Sequence, residues 1–139
     1  METKILFADI DGTLLNDQKE IPKENMTAIQ KALDCGHYVV VATGRPLDSA
    51  KAVAKDLGLM MPGCYLIAYN GAIVYDCGNE KVLKKESLPL AYVKELFERA
   101  KKAGLYIQTY KGNQIITTQD SPELEAYRNH TKLSYQVVE

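Results

Sequence analysis

The sequence has almost no surplus charge, few cysteines and no long apolar run. Its 139 residues carry 17 basic and 18 acidic side chains, for a net charge of −1. Because no basic excess is available to neutralise a phosphate backbone, we expect no nucleic-acid partner. No apolar run approaches the ~20 residues that a membrane span needs, and the apolar stretch near the N-terminus is too short for a signal peptide. We therefore expect neither membrane insertion nor export.

The cysteine pattern predicts reduced thiols. Cys35, Cys64 and Cys77 are odd in number and lack the paired spacing of a metal-binding motif. Free thiols are typical of a cytoplasmic protein, which is the location that we expect. Apolar residues make up 46% and charged residues 25% of the chain, which is the composition of an ordinary globular domain.

The first half of the chain alternates strand-like and helix-like patterns. Three continuous apolar runs of strand length lie at residues 5–8, 38–42 and 65–69, and continuous burial is typical of central strands in a parallel sheet. Between them lie two helical patterns, which begin at Pro22 and Pro46 and end at glycines. This alternation predicts a doubly wound α/β unit with helices on both faces of the sheet.

From about residue 76 the pattern becomes α+β. A hairpin is predicted over residues 73–83, followed by a helix that ends at Gly104 and two antiparallel strands. Ser121 and Pro122 predict the start of another helix, and a last strand begins at residue 134. We place the domain boundary within residues 84–88, which divides the chain into an α/β part over 1–84 and an α+β part over 85–139.

Each of the three predicted strands of the first half ends in polar residues next to a glycine. In open α/β sheets, ligands bind outside the carboxyl ends of the strands, so these side chains are expected to converge. The glycines would let backbone amides approach an anion closely. The residues are Asp9, Asp11 and Gly12 after the first strand, Thr43, Gly44 and Arg45 after the second, and Asn70 and Gly71 after the third.

The spacing of the two acids has a chemical use. Residues two apart on an extended chain point to the same side, so the Asp9 and Asp11 carboxylates would be neighbours. A divalent cation such as Mg²⁺ offsets their repulsion, and one carboxylate can act as a nucleophile while the other transfers protons. A turn with a surface acid is the plainer interpretation. A calcium loop fits less well, because its sixth position holds Leu14 rather than glycine.

These motifs resemble the haloacid dehalogenase superfamily of phosphatases, specifically its Cof-type branch. The resemblance rests on residues 7–15, 41–46 and 69–72 and extends over the whole chain. It implies a Rossmann-like parallel three-layer core, present here in part, followed by the start of an α+β cap domain. It also implies an Mg²⁺-dependent phosphatase of small phosphorylated metabolites that works through an aspartyl-phosphate intermediate.

The resemblance implies a role for each matching residue. Asp9 would attack the substrate phosphorus, and Asp11 would protonate the leaving oxygen and then deprotonate the hydrolytic water. Mg²⁺ would be held by the Asp9 carboxylate and the Asp11 backbone carbonyl. The residues implied in phosphate and substrate binding are Gly12, Thr43, Gly44, Arg45, Asn70 and Gly71.

Two features of that family have no match in the sequence. The family requires a later lysine, and Lys132 matches no core strand. It also requires a distal acidic motif of the Gly-Asp-x-x-Asn-Asp kind, and the sequence contains no Gly-Asp pair. We therefore expect the chain to be the N-terminal part of a protein about twice as long, and to be inactive by itself. The uncovered sheet edge would favour strand exchange, self-association or pairing with the missing half.

Two other hypotheses stay open. The chain could be an inactive remnant that binds metal or phosphate weakly or pairs with another chain. A receiver-like phosphoacceptor domain also has acids at strand ends, but it predicts neither Gly12-Thr13-Leu14 nor the second α+β segment.

Overall fold

The structure is a computed structural model that describes residues 2–139. The chain divides into two compact units, of which the first ends at Glu86 and the second begins at Ser87. The predicted division between residues 84 and 85 falls inside a strand that continues to Lys85.

The first unit is a five-stranded mixed sheet with two helices. The strands lie in the order β1-β2-β3-β4-β5. Strands β1, β2 and β3 are parallel, as the sequence predicts, and the predicted hairpin of β4 and β5 continues the same sheet in antiparallel fashion. The elements are β1 (Ile5–Ala8), α1 (Lys23–Asp34), β2 (Tyr38–Ala42), α2 (Leu47–Asp56), β3 (Cys64–Ala68), β4 (Ile73–Asp76) and β5 (Lys81–Lys85).

Both helices of this unit pack against the same face of the sheet. Val41 of β2 lies beside Leu66 of β3, and both are buried in a cluster that includes Ile29 of α1 and Ala50 of α2. The expectation of helices on both faces is therefore wrong for this unit. The reason is topological: β1, β2 and β3 lie in chain order, and two crossovers of the same hand place both helices on one side.

The opposite face of the sheet carries exposed apolar side chains. Phe7 and Ile5 of β1 are 61% and 55% exposed, respectively, and Phe7 lies beside Val40, whose side chain points away from the helices. Within residues 2–139, β1 pairs only with β2. The uncovered edge that the sequence predicts is thus the free edge of β1.

The second unit is an α+β arrangement around a three-stranded sheet. Strand β7 is central, antiparallel to β6 and parallel to β8. Ile115 of β7 is fully buried and packs with Leu124 and Leu133. The Ser121 hydroxyl accepts a hydrogen bond of 3.2 Å from Leu124 N, which confirms the predicted helix start. The elements are α3 (Leu90–Ala103), β6 (Gln108–Lys111), β7 (Gln114–Thr117), α4 (Pro122–Thr131) and β8 (Ser134–Val137).

All three cysteines are free thiols. Among the helices that the structure describes, none has the length and apolar character that crossing a bilayer requires.

Candidate active site

A tight turn after β1 presents the two acids. Leu14 N donates to Asp9 O at 3.1 Å, and Leu15 N donates to Ile10 O at 2.9 Å. Ile10 is fully buried, whereas Asp9 and Asp11 on either side of it are exposed. Gly12 has φ +75°, a left-handed conformation that glycine adopts without steric cost. The structure therefore places both carboxylates on the solvent side of the first strand's carboxyl end.

Hydrogen bonds join the carboxyl ends of β2 and β3. Thr43 N donates to Ile67 O at 2.8 Å, Thr43 O accepts from Asn70 N at 3.3 Å, and Arg45 O accepts from Tyr69 N at 3.0 Å. The Thr43 side chain is buried, and its Oγ1 accepts from Arg45 N at 3.1 Å. The hydroxyl proton of Thr43 is not used in that bond, so it can be donated to an anionic oxygen.

Close packing explains the glycine between Thr43 and Arg45. A Cβ atom added to Gly44 would lie 2.7 Å from Asn70 Oδ1. Tyr69 and Asn70 themselves have φ of 52° and 56°, and Gly71 has φ +100°. Left-handed conformations of non-glycine residues cost of order 1 kcal/mol or more, and such strain is found mostly at functional sites.

The strand ends enclose an open cavity of about 420 Å³. Five of the residues that the sequence singles out line this cavity, while Gly12, Asp11 and Arg45 are not part of its lining. The wall also includes Ala42 and Ile67. The five residues are Asp9, Thr43, Gly44, Asn70 and Gly71.

Asp11 belongs to a cluster of three charged side chains. Its Oδ2 accepts from Arg45 Nε at 2.8 Å, and its Oδ1 accepts from Arg45 Nη2 at 2.7 Å. Lys19 Nζ donates to the same Oδ1 at 3.0 Å. The hydrogen bonds from Arg45 are the main reason that the pKa of Asp11 falls from 3.8 to about 2, with Lys19 acting in the same direction. At neutral pH Asp11 is therefore a carboxylate that can accept a proton.

Sequence reasoning missed both contacts of Asp11. The resemblance implies that Arg45 binds phosphate or substrate, yet its guanidinium pairs with an acid 34 positions away. Lys19 was not singled out at all. It reaches Asp11 only because residues 16–20 fold back in a tight loop, in which Lys19 N donates to Asn16 O at 2.9 Å. No spacing rule of the sequence indicates that loop.

The Asp9 carboxylate differs from that of Asp11 because it is free. Within residues 2–139 it has no hydrogen-bond or ion-pair partner, and the same residues contain no group of three or more His, Cys, Asp or Glu side chains that could hold a metal. Mg²⁺ commonly takes only one or two protein carboxylates and keeps several waters. The Asp9 carboxylate and the Asp11 carbonyl are oxygen donors of the required kind, so the residues present fit part of a magnesium site.

The fold and the site together define the class of protein to which the chain belongs. An α/β sheet whose first three strands are parallel, with two acids after its first strand and Thr43-Gly44-Arg45 after its second, has the arrangement of a haloacid dehalogenase-type hydrolase. A sequence comparison agrees, because residues 6–139 match the family of haloacid dehalogenase-like hydrolases. The chain belongs to this family.

Named relatives and solved structures support that membership. The chain is 38% identical over 101 residues to the 5-amino-6-(5-phospho-D-ribitylamino)uracil phosphatase YitU of Bacillus subtilis, covering 70% of this chain and 36% of that protein. A haloacid dehalogenase-like hydrolase from Bacteroides thetaiotaomicron superimposes with a TM-score of 0.83 at 28% identity, over 99% of this chain and 52% of that one. A protein from Thermotoga maritima superimposes with a TM-score of 0.75 at 35% identity, over 99% of this chain and 50% of that one. The chain thus spans about half, or less, of the length of these proteins.

Proposed function

We propose that this chain carries the nucleophile side of an Mg²⁺-dependent phosphatase of small phosphorylated metabolites. The observation that carries the proposal is the free Asp9 carboxylate in the wall of the cavity, beside Thr43 and Gly44. Phosphoryl transfer depends mainly on positioning and charge stabilisation. The hydroxyl of Thr43 and the backbone near Gly44 offer donors to phosphoryl oxygens. The name of YitU, a phosphatase of a phosphorylated small molecule, supports the substrate class.

In the proposed reaction, an Asp9 oxygen forms a bond to phosphorus as the bond from phosphorus to the ester oxygen breaks. The leaving oxygen takes a proton from Asp11. Water then attacks the phosphorus of the aspartyl-phosphate, its proton passes to Asp11, and the bond from Asp9 to phosphorus breaks to release inorganic phosphate. Bound Mg²⁺, held by the Asp9 carboxylate and the Asp11 carbonyl, would supply positive charge against the phosphoryl oxygens.

Asp11 must take up a proton from solvent before it can donate one in the first step, and its pairing with Arg45 opposes that uptake. While the guanidinium is paired with Asp11, the carboxylate is ionised. A phosphoryl group in the cavity would compete for the guanidinium, since arginine binds phosphate as well as carboxylate in a bidentate manner. This exchange gives Arg45 the substrate-facing role that the resemblance implies. In the same scheme the second unit, residues 87–139, would be the beginning of a cap, and the free cysteines support a cytoplasmic location.

A second candidate is a chain that binds phosphate or metal weakly without turnover. The observation that favours it is the lack, within residues 2–139, of a cluster of three metal-binding side chains. One carboxylate and one carbonyl hold Mg²⁺ weakly, because the ion gives up its waters reluctantly.

The test compares Asp9→Asn with a matched control, Asp17→Asn, in the exposed loop that follows. Both substitutions are made in the intact gene product, and the purified proteins are assayed for phosphate release from a panel of phosphate esters with and without Mg²⁺. We expect Mg²⁺-dependent release that Asp9→Asn lowers by about 1000-fold or more and that Asp17→Asn leaves unchanged. Turnover that survives Asp9→Asn contradicts the nucleophile assignment. Phosphate binding by the unaltered intact gene product without any turnover supports the second candidate.

A further inference from the structure

Hydrogen bonds fix the backbone of the loop that carries Lys19 after the two acids. Asn16 N donates to Glu20 O, and Lys19 N donates to Asn16 O, both at 2.9 Å. The Asn16 side chain also accepts from Glu20 N at 2.9 Å. Lys19 itself has φ 63°, a conformation that costs a non-glycine residue roughly 1–2 kcal/mol.

Stability does not account for this arrangement. The ion pair of Lys19 with Asp11 joins side chains that are 49% and 41% exposed. Exposed pairs of this kind contribute about 0–1 kcal/mol, and ordering a lysine side chain costs up to about 2 kcal/mol of rotamer entropy. The pair therefore gains little or nothing for the fold. What the loop provides is a positive charge held 3.0 Å from Asp11 Oδ1.

The two cations on Asp11 come from different elements. Arg45 follows Thr43 and Gly44, which line the cavity, and in the proposed function a phosphoryl group bound there competes for its guanidinium. Lys19 belongs to the loop after β1 and contacts only Oδ1 of the carboxylate. If Arg45 leaves, Lys19 is the remaining contact of the Asp11 carboxylate among the hydrogen bonds that the structure describes.

We propose that Lys19 is a positioning residue that keeps the Asp11 carboxylate oriented when Arg45 turns from it to the phosphoryl group. The inference rests on the proposed function, because Arg45 has a second partner only if a phosphoryl group binds in the cavity. Its physical content is separate, because Lys19 contacts Asp11 without any substrate present, so its effect on the Asp11 rotamer can be measured without activity. The nearby Lys23, the exposed first residue of α1, offers a matched control.

The first test does not need activity. Arg45→Met removes the guanidinium as a substrate would, and three-bond NMR couplings report the χ1 rotamer of Asp11. We expect one rotamer in Arg45→Met and in Arg45→Met with Lys23→Met, but rotamer averaging in Arg45→Met with Lys19→Met. Replacing Lys19 by Arg in the same background should restore the single rotamer. Averaging in Arg45→Met alone, or a single rotamer in the double variant with Lys19→Met, overturns the proposal.

The second test separates positioning from substrate binding. With turnover established, Lys19→Met should lower kcat about tenfold, since small misplacements of a reacting group are costly, with KM changed less than about twofold. Lys19→Arg should restore kcat, and Lys23→Met should leave both constants unchanged. An equal kcat in Lys19→Met overturns the proposal. Lack of turnover in every protein counts against the proposed function, while the rotamer measurement still decides the role of Lys19.

Discussion

Removal of the Arg45 guanidinium should raise the pKa of Asp11. Arg45 makes two hydrogen bonds, of 2.8 and 2.7 Å, to the two oxygens of that carboxylate, and it is the first cause of a pKa of about 2 against the ordinary 3.8. In Arg45→Met the carboxylate loses both bonds but keeps Lys19. We therefore expect its pKa to rise most of the way towards 3.8.

The contribution of this ion pair to the free energy of unfolding follows from the shift in the Asp11 pKa. A carboxyl whose pKa falls from 3.8 to about 2 on folding would stabilise the folded state by roughly 2.5 kcal/mol if nothing screened it. The Asp11 side chain is 41% exposed, so solvent screening reduces the expected loss in Arg45→Met to about 1 kcal/mol. Because the folded-state pKa is the lower one, this stabilisation is present above about pH 4 and disappears as the pH falls to about 2.

Two measurements check these values. A ¹³C NMR titration of the aspartate carboxyls gives the pKa of Asp11 directly, and urea unfolding gives the free energy at neutral pH and near pH 2. Lys84→Met is the matched control, since Lys84 pairs with Glu86 at 2.8 Å but both side chains are more than 60% exposed, so solvent screening should leave little loss of stability. The reasoning is refuted if Asp11 still titrates near pH 2 in Arg45→Met, or if that variant loses no more free energy than Lys84→Met.

Three further predictions address other parts of the chain. We propose that the free edge and the exposed apolar face of β1 pair with a second copy of the chain. Sedimentation should therefore show self-association, and Phe7→Lys should weaken it. A monomer at all concentrations contradicts this proposal. Gly44→Ala should displace the Asn70 side chain and weaken binding of inorganic phosphate severalfold in an NMR titration, with a change of less than about 1 kcal/mol in unfolding free energy. Ser121→Ala removes a helix cap and should cost about 1 kcal/mol, measured by tyrosine fluorescence because the chain has no tryptophan; an unchanged unfolding midpoint would contradict the cap.

The sequence predicted the elements of the first unit because two strong signals agree there. The run at residues 38–42 is apolar at every position, and the helices on either side end at glycines that the structure places at φ +76° and +71°, Gly36 and Gly58. Periodicity and chain-breaking residues are local properties, so one sequence is enough to locate them. The same holds for Ser121, whose capping bond involves a residue three positions away.

The placement of both helices on one face was not predictable from such local signals. Alternation of strands and helices indicates crossovers, but the face that a helix covers depends on whether the strand order reverses. In residues 2–139 the order from β1 to β3 does not reverse. The apolar side of Phe7 and Val40 was consequently predicted to be covered, whereas Phe7 is 61% exposed.

The two acids show where residue type stops being informative. Asp9 and Asp11 are identical side chains two positions apart, and the spacing predicts only a pair of carboxylates on one side of the chain. The fold makes them different: Asp9 lines the cavity without a partner among residues 2–139, while Asp11 is held by Arg45 and Lys19. A nucleophile needs an unshared electron pair and open space, and a proton-transfer group needs a defined orientation. The resemblance implies different roles for the two acids, and their surroundings differ in a way that suits those roles. The difference depends on contacts of Asp11 with residues 8 and 34 positions away along the chain.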